Sequence, residues 1–202
     1  MSTIKKLFKL LVMLLLLSAC NYQAKSDADA IKNTIESFYN TQYDAYLEMK
    51  YKDITPYLDM SKIQNQNKVI ALKRLAIRRK YIDEKKYCYV EKRRFPLSFK
   101  YKSIDIKNNH AKVILEIKID RQQVYPPFID SGENVFELKK DGDDWKIISH
   151  SYSGLKMFEV STDKKLPELD LEKLKKQIDD EFNCQNYMVI QITPYNFGNN
   201  FV

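Results

Sequence analysis

The chain has only four glycines in 202 residues, Gly132, Gly142, Gly154 and Gly198, and none stands beside another. A phosphate-cradling loop needs clustered glycines so that several backbone amides can converge, and that class of nucleotide binding is excluded. Histidine is scarcer still. His110 and His150 are the only two, and no second histidine stands near either in a metal-ligand spacing such as HExxH. No metal site and no other cofactor is expected. Long apolar runs are missing too. The one strongly apolar stretch near the start extends only from Leu10 to Leu17, because Lys9 interrupts it, whereas a membrane-spanning helix takes about 20 apolar residues. The three cysteines, Cys20, Cys88 and Cys184, have no metal-like spacing, although Cys88 and Cys184 could be oxidised as a pair in an exporting context.

What the start does contain is a positive cluster, Lys5, Lys6 and Lys9, then the leucines, then small residues, which is the layout of a secretory signal. Leu17-Ser18-Ala19-Cys20 resembles the bacterial lipobox, in which a diacylglyceryl group is attached to the cysteine thiol and the signal is cleaved just before it. The resemblance implies that residues 1–19 are a lipoprotein signal peptide and that Cys20 is the lipid attachment point. The partner so implied is the membrane, and the location is the extracytoplasmic face of the cell membrane. Each acyl CH2 buried there contributes about 0.8 kcal/mol to membrane binding. Removing residues 1–19 takes away three lysines and no acid, leaving 31 basic against 27 acidic residues and a net charge of +4 rather than +7. Export argues against nucleic acid as a partner.

Residues 20–26 are polar and aperiodic and read as a lipidated tether. A helix follows, with Ile31, Ile35, Phe38, Ala45 and Met49 on one stripe and Tyr39, Tyr43 and Tyr46 beside it, an unusually wide apolar face. Thr55-Pro56 has the form of an N-cap followed by proline in the first turn, and Ser61 is placed to cap a second helix over about residues 62–84. That helix sets Ile63, Val69, Ile70, Ile77, Tyr81 and Ile82 against a charged side containing Lys73, Arg74, Arg78, Arg79 and Lys80. From Tyr87 the period changes to two: Tyr87 and Tyr89, Phe99 and Tyr101, and Ile104 and Ile106 alternate with polar residues. Asn108-Asn109 then predicts a tight turn into "HAKVILEIKID", with Ala111, Val113, Leu115, Ile117 and Ile119 on one face. A second hairpin is expected from "ENVFELKK", the turn "DGDD" and "WKIISHSY", with Phe136 and Leu138 pointing inward.

The expected fold class is α+β: N-terminal helices packed on a curved, cone-like antiparallel sheet over residues 27–153, with a C-terminal helix. Residues 154–165 read as a linker and 166–183 as that helix, with Pro167 early and Leu171, Leu174, Ile178 and Phe182 on a stripe. Residues 184–202 carry no charged side chain, although 30% of the chain is charged. Such a run arises by chance about one time in a thousand, so it marks a compositional boundary. The tail is expected to be either an apolar edge strand or the product of a truncated or frame-shifted reading frame.

The order of two helices and then a twisted sheet ending in "WKIISHSY" resembles the nuclear-transport-factor-two-like, cystatin-related superfamily. That resemblance implies a sheet curled around the first helix, with Trp145 packed into it. The stretches "IKNTIESFYNTQYDAYLEMKYKDITPYLD", "NKVIALKRLAIRRKYI" and "GENVFELKK…WKIISHSYSGLKMFE" resemble the N-terminal region of exported amidase-domain proteins of low-G+C Gram-positive bacteria. In that family the catalytic papain-like domain follows this region, so the resemblance implies a non-catalytic binding or spacer module and carries over no catalytic residue.

An enzyme using the interior of such a cone would need a buried Asp or His as general base, and Asp44, Asp53, His110 and His150 are the candidates. Tyr39, Tyr43, Asp44 and His150 could together line a pocket, since tyrosine offers apolar surface with a polar tip. Ordinary helix-to-sheet packing is the competing use of the same face. The basic group Lys73, Arg74, Arg78, Arg79 and Lys80 could meet anionic lipid or a cell-wall polyanion, or be a solvated face. Cys88, between two tyrosines, is expected to pack as a small apolar residue. The function these readings favour is a membrane-anchored lipoprotein with a non-catalytic binding or spacer domain, whose partner is a cell-wall component or a protein. The alternative is a small-molecule-binding or isomerase-type domain using the interior.

Overall fold

The computed structural model describes residues 26–119, 126, 128–129, 132–152 and 164–185. Cys20, the signal, most of the tether, the larger part of the 154–165 linker and the 186–202 tail lie outside them, as does the side chain of Cys184. The first helix, α1, covers residues 26–48. A 3-10 turn at Thr55–Tyr57 leads to α2, Ile63–Lys85, and then to four strands: β1 Leu97–Lys107, β2 His110–Ile119, β3 Glu133–Asp141 and β4 Asp144–Tyr152. The last helix, α3, is Leu171–Gln185. The sheet is a plain antiparallel meander in the order β1-β2-β3-β4. The fold is α+β with N-terminal helices, a curled but unclosed sheet and a C-terminal helix.

Two bulges interrupt the sheet. In β1 the register slips between Tyr101 and Ser103, so that Tyr101 faces Leu115 and Ser103 faces Ile114. In the β3–β4 pair it slips between Glu137 and Leu138: Glu137 faces Ser149 but Leu138 faces Ile147, leaving Ile148 as the extra residue. An extra residue on one strand bends and twists it locally, and here it also resets which face the following side chains take. Phe99 and Tyr101 before the first bulge, and Ile104 and Ile106 after it, thus all pack against the core.

That core lies between α1 and the sheet. Ile31, Ile35, Phe38, Tyr39 and Tyr43 of α1 meet Val113, Leu115, Ile117, Phe136, Leu138, Trp145 and Ile147, all buried. Inward residues on β2 fall where the period-two reading puts them, Ala111 through Ile119 at every second position. Trp145 is 2% exposed and donates its indole N–H to Asp27 Oδ1, which also receives the Lys140 ammonium at 2.6 Å. The start of α1 is thereby pinned beside the β3–β4 turn. That turn needs Gly142 at φ +62°, and the β1–β2 turn uses Asn108 at φ 56°, a conformation asparagine tolerates better than most residues.

Several local expectations are corrected. Ser61 does not cap α2; the N-cap is Lys62 with no side-chain bond, and Asp59 instead accepts the Ser61 N–H. The cap before Pro56 is Ile54 rather than Thr55, and the turn lasts only three residues. The buried face of α2 runs through Asn65, Asn67, Val69, Leu72, Leu75, Ala76 and Ile82, while Ile63 is 40% exposed. Tyr87 and Tyr89 are not in a strand. Lys86, at φ 59°, closes α2 with a left-handed residue, and the Tyr87 ring then stacks on Phe182 of α3 while its hydroxyl bonds Asp179. Helix α3 begins at Leu171 because Asp170 accepts the Lys173 N–H as a cap, so Pro167 lies in the approach to it. Cys88 is exposed rather than packed.

The edge strand β4 is partly covered. Leu58 forms a parallel bridge to Ile147, and the Ile147 carbonyl accepts both the Asp59 N–H and the Asn65 side-chain amide. Covering an edge in this way satisfies groups that would otherwise invite another strand.

Candidate functional site

The polar groups that reach into the core come from four elements. Tyr39 lies on the face of α1 turned to the sheet and is fully buried, ringed by Phe38, Phe99 and Phe136 at centroid distances of 5.5, 6.0 and 5.9 Å. Its hydroxyl donates to Asn134 Oδ1 of β3 at 3.1 Å and lies 3.1 Å from His150 Nε2 of β4. His150 Nε2 is in turn 2.8 Å from the same Asn134 Oδ1. Asn134 Nδ2 donates to the Gly132 carbonyl, which fixes the side-chain oxygen toward Tyr39 and His150. An amide oxygen only accepts, so the proton of neutral His150 is carried on Nε2. Burial, and secondarily the charge of Lys68, pushes the His150 pKa well below its ordinary value, which keeps the ring neutral.

The β4 bulge brings His150 into this position. Without it, strict alternation would place His150 opposite to Trp145 and Ile147; with Ile148 as the extra residue, Ile147 and His150 both turn inward, opposite Leu138 and Phe136.

Lys68 on α2 supplies the fourth group. Its ammonium nitrogen is buried with no hydrogen-bond partner among the described residues, and lies 5.9 Å from the centroid of the Phe38 ring. Burial lowers its pKa to about 8. No sequence feature singled it out, but one was there: Asn65, Lys68, Leu72 and Leu75 follow three- and four-residue steps, so Lys68 stands on the buried stripe.

The remaining sequence-selected residues separate from this cluster. Tyr43 is buried, but its hydroxyl accepts the Phe95 N–H at 3.1 Å and its ring packs near Phe128 and the Arg94 guanidinium, some distance along α1 from Tyr39. Asp44 is on the exposed edge of α1, paired with Arg94 and with Lys52 at 3.7 Å. Asp53 is exposed and accepts from the Thr55 N–H and hydroxyl and from the Tyr51 hydroxyl, bonds that hold its carboxyl below the usual range. His110 is exposed at the start of β2. The structure thus brings together Tyr39 and His150, adds Asn134 and Lys68, and leaves Asp44 outside. Among the described residues, no group of three or more His, Cys, Asp or Glu is placed to hold a metal ion.

Most of the basic group is engaged within the chain. Arg79 donates to the carbonyls of Tyr46 and Glu91, both at 2.9 Å, with its guanidinium 3.4 Å from the centroid of the Tyr46 ring. Arg78 forms a fork with Glu181 at 3.3 and 2.5 Å, and Arg74 donates to the Pro167 carbonyl. Arg78 thus joins α2 to α3 and Arg74 joins α2 to the approach to α3, alongside the apolar contacts of Ile82 and Val90 with Leu174 and Ile178. Lys73 is exposed with its ammonium over the Tyr51 ring, and Lys80 is exposed beside Glu84. Among the described residues, no helix is long and apolar enough to cross a membrane.

No protein-family model, curated protein or solved structure matches the chain.

Proposed function

We propose that this chain is an exported lipoprotein, held by acyl chains on Cys20 to the extracytoplasmic face of the cell membrane. Its domain binds a ligand, a cell-wall component or a protein partner there without catalysing a reaction. The observation that carries this reading is the sequence Leu17-Ser18-Ala19-Cys20 behind a positive cluster and a leucine run, and the pinning of Asp27 to Lys140 and Trp145 beside the β3–β4 turn fixes the end at which the tether meets the domain. The chain from Cys20 to Asp27 spans at most about 25 Å when fully extended, which keeps this end of the domain near the lipid. From there α1 carries the chain away, and Tyr39 lies about 18 Å further along the helix axis. Anchored at one end, the domain presents the other outward.

Binding is favoured over catalysis by how the candidate bases are used. Asp44 and Asp53 are tied into surface pairs and a turn, and the Nε2 proton of His150 is held by Asn134. The resemblance to the non-catalytic region of exported amidase-domain proteins supports the same reading. A second reading, a small-molecule-binding or isomerase-type domain working from the interior, draws on one observation: the Lys68 ammonium buried without a partner among the described residues.

Cell fractionation tests the anchor. Wild type is expected with membranes and Cys20→Ala in the soluble or unprocessed fraction. Partitioning of Cys20→Ala with membranes at the wild-type level would overturn the reading.

A further inference from the structure

Lysines near a surface normally lay their methylenes along apolar neighbours and extend the ammonium into water. Lys68 does the reverse: the residue is partly exposed, yet its ammonium nitrogen is buried. It points toward Phe38 of α1 and is close enough to His150 for its charge to act on that ring. An ammonium in such surroundings is costly unless a counter-charge meets it. The groups nearest in the cluster cannot supply one: His150 is neutral, and the Asn134 oxygen is already shared by Tyr39 and His150.

We infer that Lys68, with the Tyr39–Asn134–His150 network beside it, forms the binding site for a small monocarboxylate with an apolar body. A carboxylate would give the ammonium its missing acceptor in a charge-assisted hydrogen bond. One cation matches one negative charge; a phosphate dianion would bring a second charge into the same apolar surroundings with nothing to offset it. Phe38, whose ring centroid lies 5.9 Å from the ammonium, gives the rest of the ligand an apolar neighbour. This site deepens the second reading above, small-molecule binding from the interior, and rests on it, while remaining independent of the lipid anchor.

The test uses the full chain and four probes at matched ionic strength and about pH 7.5, where inorganic phosphate is mostly the dianion and Lys68 is still mostly protonated: acetate, butyrate, benzoate and inorganic phosphate. Butyrate and benzoate are expected to raise the thermal midpoint saturably, by about 3 °C or more, with acetate weaker and phosphate weakest. Lys68→Met is expected to weaken benzoate binding by about tenfold or more, the loss of one charge-assisted bond. In the wild-type protein, nitrogen NMR of Lys68 supplies a measurement that depends on no variant. Benzoate should move its titration midpoint upward from about 8. The inference is overturned by no saturable shift with any carboxylate, by an equal shift in Lys68→Met, by phosphate exceeding benzoate, or by a Lys68 midpoint that ignores benzoate. A failed titration with intact membrane partitioning removes the ligand class alone, whereas membrane-bound Cys20→Ala removes the anchored reading and leaves the titration standing.

Discussion

The imidazole of His150 lies flat on the ring of Phe136, with centroids 4.0 Å apart and planes 6° from parallel. The two residues are direct cross-strand partners on β4 and β3, and the Tyr39 ring meets each of them edge-on at about 6 Å. Protonating His150 would therefore place a charge between an aromatic face and a buried hydroxyl, next to the Lys68 charge.

An acid-side prediction follows from that placement. Above pH about 6.5 His150 is neutral in both states; below it the unfolded chain takes up a proton that the folded domain refuses, so stability falls. The loss approaches about 1.4 kcal/mol per pH unit. Asp27, Asp53, Asp179 and Glu91, all held low by hydrogen bonds, add their losses only below about pH 4.5. Urea midpoints from pH 7 to 5 should therefore decline in wild type and stay level in His150→Phe. An unchanged slope in the variant refutes the assignment.

Lys68 acts at the opposite end of the scale. Its folded value of about 8 lies below the ordinary 10.5. Between pH 8 and about 10 the unfolded chain binds more protons, so stability rises with pH. Above about 10 unfolded tyrosines ionise while burial and Glu36 hold Tyr101 protonated, and stability falls. Lys68→Met should abolish the rise and be more stable than wild type at pH 7 by about 1–3 kcal/mol. Equal or lower stability of the variant at pH 7 counts against a buried unpaired charge.

Arg79→Lys tests whether the basic group is structural. A lysine cannot reach the carbonyls of Tyr46 and Glu91 together while lying on the Tyr46 ring, so a loss of about 1–3 kcal/mol is expected. Lys73→Ala and Lys80→Ala, on exposed positions, should stay within about 0.5 kcal/mol. The reverse ordering in chemical denaturation would return this face to surface duty.

Helix α3 should behave as a separate cooperative layer. Ile178 is fully buried in a small cluster with Ile82, Val90 and Leu174, apart from the main core. Ile178→Ala, a loss of about 2–5 kcal/mol for a deleted core side chain, should raise amide exchange in α3 and leave β2 and β3 protected. Uniform acceleration across the sheet would show that the two clusters unfold as one.

The sheet was legible because alternation carries its own phase. Ala111 to Ile119 gave the buried face of β2 residue by residue, and the step from Tyr101 to Ile104 already contained the first bulge. The hairpin turns were equally plain in Asn108-Asn109 and Asp141-Gly142. What could not be read was which partner each side chain would meet. Alternation grouped His150 with Ile148 and Tyr152, and only the slip between Glu137 and Leu138 places it beside Phe136. Tyr87 has strand character in isolation, but stacking on Phe182 and bonding to Asp179, about 90 positions later, claim it for α3. The pocket group was half legible for the same reason: Tyr39 and His150 meet, whereas Asp44 follows its own helix edge to Arg94.

The second bulge makes the location of His150 a matter of counting rather than chemistry. Many residue types could stand at position 148 and leave the imidazole where it is, because the spare residue has no partner on β3. Deleting Ile148 would remove the spare residue itself: Ser149 would follow Ile147 directly, still opposite Glu137, and His150 would still face Phe136, held inward by plain alternation. Tolerance to substitution and to deletion would then coincide at a single position, where the interior cluster depends on which residues pair across the strands and hardly at all on what fills the bulge.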